Sequence, residues 1–426
     1  MHLLDRQRAL VALAAATRYG GGVVMGTGLA VLVERAGGSP FAVSLLFPAY
    51  FLPMVVFAPA WGAVADVTGR RRAVLLGTGA LATLSVLPLF ALDGVWPLIG
   101  ARGLYAVFAA GFPPVMLAVV SDLGGRGRRG RELGFFNSAR ASGFTGGQLA
   151  AGTLLGLVAP AGLYLVVAGL SAVATLAVLA LSTGTTGGAG DRAPDGERGL
   201  DLRAVGGAVR ERLLPSAADR AHLHRNGLAW LYVALALRNA TVMGVMSLLP
   251  VYLTGPLGVP EPLMGVVLAA NPASQVVFMT AFGRVADARG RRPLVVLGMV
   301  GGGAFAVLIA LASLAPTLAG RLAVALAAAV LIGASFSAMT TGALAFIGDV
   351  APDGRESELM GLRTTAKGVG AVLGAPAFGG VATVVGYAPT FAGGSVLAFA
   401  AAWLAWDRLV EPDEPSGSTE TAPAPG

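Results

Sequence analysis

Six cations stand inside long apolar stretches of this chain, and no carboxylate accompanies them. Arg18, Arg102, Arg140, Arg238, Arg363 and Lys367 interrupt such stretches, whereas the 23 Asp and Glu fall in loops, in tails or at the ends of stretches. On insertion scales a cation embedded in a bilayer costs about 2.5 to 3.5 kcal/mol unless it meets water or a partner. The chain must therefore build a polar interior. A guanidinium offers a rigid fork of donors that fits a carboxylate or phosphate and stays charged at any working pH. Arg18 and Arg238 lie near the middle of their stretches and serve either a ligand or the carbonyls of neighbouring helices; the ligand reading is preferred. Tyr19, Asn137, Gln148, Asn239, Asn271 and Gln275 are polar groups able to join them, and Arg140 and Lys367 are further embedded charges. Arg363 is expected to extend its head to the surface. Two converging forks would take an anionic, zwitterionic or neutral solute and repel a permanently cationic one.

The same inventory excludes other chemistry. There is no Cys, so disulfides and thiolate metal sites are ruled out, and the three His, at 2, 222 and 224, lie outside the apolar stretches. An enzyme would need a nucleophile, acid or metal constellation inside them. Hence no catalytic residue, metal or cofactor is expected. No GxxxxGK[ST] phosphate loop occurs, which argues against ATP as the energy source. The formal charge of +7 comes from the loops and needs no nucleic-acid partner.

Composition supplies the scaffold for these residues. With 55% hydrophobic and 12% charged residues and a mean hydropathy of +0.73, the chain has more apolar surface than a water-soluble fold could bury. The lipid bilayer is its expected solvent. A crossing helix needs about 20 apolar residues, and twelve candidates fit: 9–33, 41–65, 73–92, 95–120, 134–158, 162–183, 227–254, 262–285, 294–314, 321–348, 359–385 and 390–410. The fold expected is an all-α integral membrane protein with twelve transmembrane helices in two pseudo-symmetric six-helix bundles. Residues 1–183 and 227–410 form the bundles, 184–226 a cytoplasmic linker and 411–426 a disordered tail. A cleaved leader is the weaker reading of the first stretch, because Arg18 recurs as Arg238 in the seventh.

The doubling is written in the loops. GAVADVTGRRR at 62–72 and GRVADARGRRP at 283–293 pair Gly62/Gly283, Asp66/Asp287, Gly69/Gly290, Arg70/Arg291 and Arg71/Arg292 at one offset. Asp122/Asp349, Gly134/Gly361, Arg140/Lys367, Gly143/Gly370 and Gly147/Gly374 pair at a second. One six-span unit is thus repeated in parallel. Arginines cluster at 6–8, 70–72, 126–131, 192–225 and 284–292, against only Arg35 and Arg321 on the opposite loops. The positive-inside rule puts both termini and the linker in the cytoplasm of a cell-membrane protein. Within the linker, Leu202, Val205, Val209 and Leu213 oppose Arg203, Arg210 and Arg212, as an amphipathic surface helix would; a disordered tether is the alternative.

The segment 62–72, between spans 2 and 3, resembles the signature loop of the major facilitator superfamily, and its weaker copy falls between spans 8 and 9. Span 4 carries Arg102 in LIGARGLYAVFAAG, which looks like the family's second motif. Gly134, Gly143 and Gly147 of span 5 resemble the glycine motif of its exporters, with Gln148 where a proline is usual; Gly361, Gly370 and Gly374 repeat them in span 11. The resemblance implies a secondary transporter acting by alternating access, without enzymatic activity, with Arg18 and Arg238 lining a central cavity from helices 1 and 7. Asp66 would hold the inner gate shut against a helix N-terminus of the other half. The arginines at 70–72 would pair with Asp122 or Glu132, and the repeated glycines would pack across the interface between halves. Export of amphipathic compounds is the first reading and uptake or exchange of an organic anion the second. A non-transporting receptor is the alternative from another class. Protons are the candidate coupling ion, with Glu34, Asp122, Asp349 and Glu358 as peripheral acids, and the chain is expected to act as a monomer.

Overall fold

The computed structural model describes residues 2–182, 202–213, 223, 226–352 and 356–411. Its helices, in chain order, are α1 (His2–Arg35), α2 (Pro40–Ser44), α3 (Leu46–Thr68), α4 (Arg71–Leu84), α5 (Val95–Ala109), α6 (Phe112–Leu157), α7 (Pro160–Leu179), α8 (Leu202–Leu213), α9 (Leu228–Thr254), α10 (Glu261–Arg289), α11 (Arg292–Leu311), α12 (Leu318–Val350), α13 (Glu356–Val385) and α14 (Tyr387–Arg408). No strand occurs among the described residues. That fits a bilayer, where each backbone N–H and C=O must be satisfied within its own segment.

Helix boundaries and spans do not coincide everywhere. The second span is interrupted at Leu45, after the short α2 that Ser39 caps by accepting from the Ala42 N–H at 3.3 Å. The fourth is interrupted at Gly111, because Pro113 and Pro114 lack the N–H groups that would continue the ladder from α5. The long α6 cannot be straight. The Tyr19 ring lies 5.9 Å from that of Phe112 and 6.4 Å from that of Phe136, whereas a straight helix at 1.5 Å per residue would hold these two about 36 Å apart. The chain doubles back between them, so α6 contributes the end of span 4 and all of span 5. Eleven stretches among the described residues are long and apolar enough to cross a membrane. Span 5 completes the twelve and is less apolar because Asn137, Ser138, Arg140, Ser142, Thr145 and Gln148 lie on it.

The repeated glycines pack within each half, which corrects the expectation that they join the halves. A Cβ on Gly143 would run into the backbone of Ala16, and one on Gly147 would lie 2.7 Å from the Gly20 carbonyl. In the second half a Cβ on Gly370 would overlap the Ala236 carbonyl, and one on Gly374 the Ala240 backbone. The two sets are the same contact, span 5 on span 1 and span 11 on span 7. Gly134 and Gly361 differ: a Cβ on either would meet nothing within 4 Å, so neither serves close packing.

The apolar core divides unevenly. At the end of the bundle away from the termini, Val24, Met25 and Leu29 of α1 share one core with Val245, Leu248 and Leu249 of α9 and Phe378 of α13. At the end near the termini each core stays within one half. Val11, Leu75, Phe112 and Leu181 belong to the first half alone, and Leu228, Leu235, Phe346 and Ala405 to the second alone. The amphipathic helix expected in the linker is formed as α8, with Val205 and Val209 half-buried and Arg203 and Arg210 exposed. It packs on α3, on protein. Apart from Leu223 and Asn226, the rest of the linker and the tail beyond Glu411 lie outside the described residues.

Candidate substrate cavity and gates

Arg18 and Arg238 do not converge on a central space. Arg18 is 5% exposed and donates from Nη1 to Ser171 Oγ at 2.8 Å, while the Thr83 hydroxyl donates to the same oxygen at 3.0 Å. Its guanidinium stands 5.7 Å over the Phe112 ring. It is enclosed by spans 1, 3, 4 and 6. Arg238 has no exposed surface and wedges against Gly302 of α11, and its Nε, Nη1 and Nη2 have no hydrogen-bond partner among the described residues. Both point into their own halves. The reason is helical geometry: adjacent residues diverge by about 100° around the axis, so the next residues, Tyr19 and Asn239, face elsewhere. Arg102, 7% exposed, donates to the Gly22 carbonyl at 2.9 Å and lies 4.2 Å over the Tyr50 ring, tying span 4 to spans 1 and 2.

Arg140 and Lys367, the repeated pair of embedded cations, each stand over aromatic rings of their own half. Arg140 is exposed and sits 5.8 Å over the Tyr19 ring and 5.9 Å over that of Phe144. Lys367 is half-buried, 4.8 Å over the Phe336 ring, and its carbonyl accepts from Asn239 Nδ2 at 2.5 Å. Packing fixes both placements: one turn further along, Gly143 and Gly370 seat their helices on Ala16 and Ala236. Asn271 and Gln275 bond to each other at 2.9 Å, and Ser337 donates to the Gln275 carbonyl at 3.3 Å. Their described contacts tie spans 8 and 10 together.

At the far end the halves are sealed by contacts outside the expected site. A Cβ on Gly152 of α6 would meet the Glu261 carbonyl and the Gly265 Cα of α10. The repeat of that contact sets Gly379 of α13 against Phe41 and Ser44 of α2. The Phe41 N–H donates to Thr383 Oγ1 at 3.1 Å, and Arg35 Nη2 reaches Glu261 Oε1 at 2.6 Å. One sequence signal existed, since Gly152 and Gly379 share the offset of the other repeated glycines.

Near the termini the loop arginines hold each half to itself. Arg71 pairs with Asp122 and lies 4.0 Å from Asp66; Arg291 Nε lies 2.8 Å from Asp349. Arg72 donates to the Leu179 carbonyl and Arg292 to that of Trp406, over whose ring it also stands. The structural pairs are therefore Arg71/Arg291 and Arg72/Arg292, one residue out of register with the pairing expected from sequence. The turns have the same length, with one arginine between glycine and helix, but differ in backbone. Gly69 is left-handed at φ 68, ψ −2 and Arg70 follows at ψ 54, whereas Gly290 lies at φ 84, ψ 172 and Arg291 is already helical at ψ −40. Glu132 pairs with Arg8 of α1 and not with the 70–72 cluster. Asp66 and Gly62 border a cleft of about 390 Å³ between spans 2 and 4. In the second copy a Cβ on Gly283 would meet nothing within 4 Å, and the Asp287 side chain lies outside the described residues.

Two six-span halves repeated in parallel, sealed to each other at one end and with separate cores at the other, define a secondary membrane transporter. A family model described as Major Facilitator Superfamily matches residues 11–260 and again 231–425, and the chain belongs to that family. It is a transporter and not an enzyme. Its fold is similar to that of the nucleoside transporter NupG, in a D323A mutant structure with TM-score 0.75, 14% identity and coverage of 94% of this chain and 99% of that one. A bacterial homolog of the human lysosomal transporter Spinster, inward-facing and occupied, gives 0.72 at 15% identity, covering 95% and 97%. The human organic anion transporter MFSD10 gives 0.62 at 17%, covering 94% and 99%. No curated protein matches the chain in sequence.

Proposed function

We propose that this transporter moves a small amphipathic organic solute out of the cell by alternating access, and that the conformation described is its inward-open state. The observation that carries the reading is the divided core: one apolar core joins the halves at the far end, and the cores at the end with the termini each stay within one half. Rocking the halves about the central space would exchange these arrangements. With the positive-inside rule placing the termini in the cytoplasm of the cell membrane, the open vestibule faces interior solutes. Asp66 would then meet the opposite half only in the outward-open state.

Protons are the proposed coupling ion. Glu34 and Glu261 lie at the seam that must open and close, with Glu34 facing Gly255 and Glu261 bonded to Arg35, so a proton would exchange at the seam. The test is solute flux in proteoliposomes holding the single chain as a monomer. Counterflow that an inside-acid pH gradient accelerates is expected; accumulation indifferent to pH, or driven with the opposite sign, overturns proton-coupled export. Cysteines at Gly38 and Gly94 should react with an impermeant reagent from outside and one at Arg408 only from inside.

A further inference from the structure

At the end with the termini, the second half carries a set of indoles and arginines that the first half lacks. Arg292, at the start of α11, lies 4.5 Å over the Trp406 ring of α14, and Arg408, at the end of α14, lies 5.5 Å over the Trp230 ring of α9. Spans 7, 9 and 12 are thereby bridged on the surface of the bundle, where Trp230, Trp403 and Trp406 are all exposed. The repeat supplies the comparison. Arg72 and Arg292 do the same packing job, donating to the carbonyls of Leu179 and Trp406. Yet the first-half positions that match Trp230, Trp406 and Arg408 are Leu10, Leu179 and Leu181. Holding a helix end needs neither the indoles nor the second arginine, so the set serves something beyond packing.

Both arginines reach the last turn of α14, Arg292 through the Trp406 carbonyl and Arg408 as part of that turn. Stacking on an indole uses the face of a guanidinium and leaves the N–H groups in its plane for an oxyanion. The Nε of Arg292 has no partner among the described residues. Arg408 Nε lies 2.8 Å from Asp407, but that pair is about half exposed on both sides and holds the guanidinium weakly. The other acid nearby, Glu411, is committed to the backbone, accepting from the Arg292 N–H at 2.6 Å. Beyond Trp406, the exposed side chains of Trp403, Phe399 and Val396 continue along α14 at helical spacing. In a bilayer, indoles beside arginines mark the headgroup level, and the apolar stripe next to them meets acyl chains.

We propose that this set binds one phospholipid with an anionic headgroup in the leaflet on the side of the termini. Arg292 and Arg408 take the phosphate, and an acyl chain lies along Trp403, Phe399 and Val396. A lipid seated there braces spans 7, 9 and 12 against one another, so the stability of the second half depends on the headgroup. The site needs only the membrane fold, and its loss would leave the transport reading untouched.

The experiment is native mass spectrometry of the delipidated full-length chain in detergent, titrated with phosphatidylglycerol or phosphatidylcholine of identical acyl chains. One phosphatidylglycerol should bind at least roughly fivefold more tightly than phosphatidylcholine, the scale set by one basic side chain at an anionic lipid surface. Arg292→Gln and Arg408→Gln should each remove about that factor. Arg72→Gln, the structural copy of Arg292 without an indole beneath it, should leave the binding unchanged. In the wild type, phosphatidylglycerol should also raise the unfolding temperature more than phosphatidylcholine does, a readout that does not depend on how the variants fold. Equal binding of the two lipids, no loss in either Gln variant of the second half, an equal loss in Arg72→Gln, or the same unfolding temperature with either lipid overturns the site. Displacement of bound phosphatidylglycerol by soluble glycerol 1-phosphate also overturns it, since the arginines would then hold a free phosphate and no lipid.

Discussion

Gly152 of α6 and Gly265 of α10, from opposite halves, meet backbone to backbone: a Cβ on Gly152 would come within 2.7 Å of the Gly265 Cα. The seam at the far end closes because neither residue has a side chain. The Arg35–Glu261 pair beside it is partly exposed on both sides, and such pairs contribute about 0 to 1 kcal/mol. Close packing, more than charge, is therefore what seals this end.

Gly152→Val is expected to wedge the seam open. Overpacking of a close contact costs about 1 to 3 kcal/mol, which would shift the balance toward the outward-open state by roughly fivefold or more. The check is the labelling rate of Asn137→Cys from the far side, which should rise by that factor; an unchanged rate would mean that something other than the glycine contact limits opening.

Arg238→Met should leave the protein as stable or make it more so. The guanidinium is fully buried, with three nitrogens lacking a partner among the described residues, and replacing a buried ionic group by a well-packed apolar one of similar volume is often neutral or stabilising by about 1 to 4 kcal/mol. Thermal unfolding in detergent and solute flux in proteoliposomes read this out together. A large loss of flux at unchanged stability would return Arg238 to the binding site.

The glycines of the repeated motif should differ from one another. Gly370→Ala, whose methyl would overlap the Ala236 carbonyl, is expected to destabilise by about 1 to 3 kcal/mol. Gly361→Ala meets open space and should gain up to about 1 kcal/mol from helix propensity. Equal effects at the two positions in unfolding experiments would refute the packing assignment.

Acid should loosen the first half through Glu132. The Arg8 guanidinium hydrogen-bonded to it holds the Glu132 carboxyl below its ordinary value of 4.5. The folded state then binds this proton less tightly than the unfolded one, so the pair's contribution is fully present above that ordinary value and fades as pH falls through the lower folded value. Glu132→Gln should flatten the acid limb of a plot of unfolding temperature against pH; a variant with the same acid limb as wild type would rule the pair out as its source.

Hydropathy, the two offsets and the arginine loops were enough to read a doubled twelve-span fold from the sequence, because lipid solvation demands long apolar helices and a repeated unit repeats its turns. The loop partners were partly legible too: the Arg71–Asp122 pair was among those expected. Which way each embedded charge points was not. Arg18 and Tyr19 are adjacent in sequence, yet one is locked inside its half by Ser171 and the other lies beneath Arg140, a divergence set by helix rotation that hydropathy does not encode. The roles of the glycines were hidden for a similar reason. Gly143 and Gly152 lie on one helix, but the first seats it on α1 and the second touches the opposite half. Only the packed tertiary arrangement, in which each face of a helix meets a different neighbour, assigned the one to the bundle and the other to the gate.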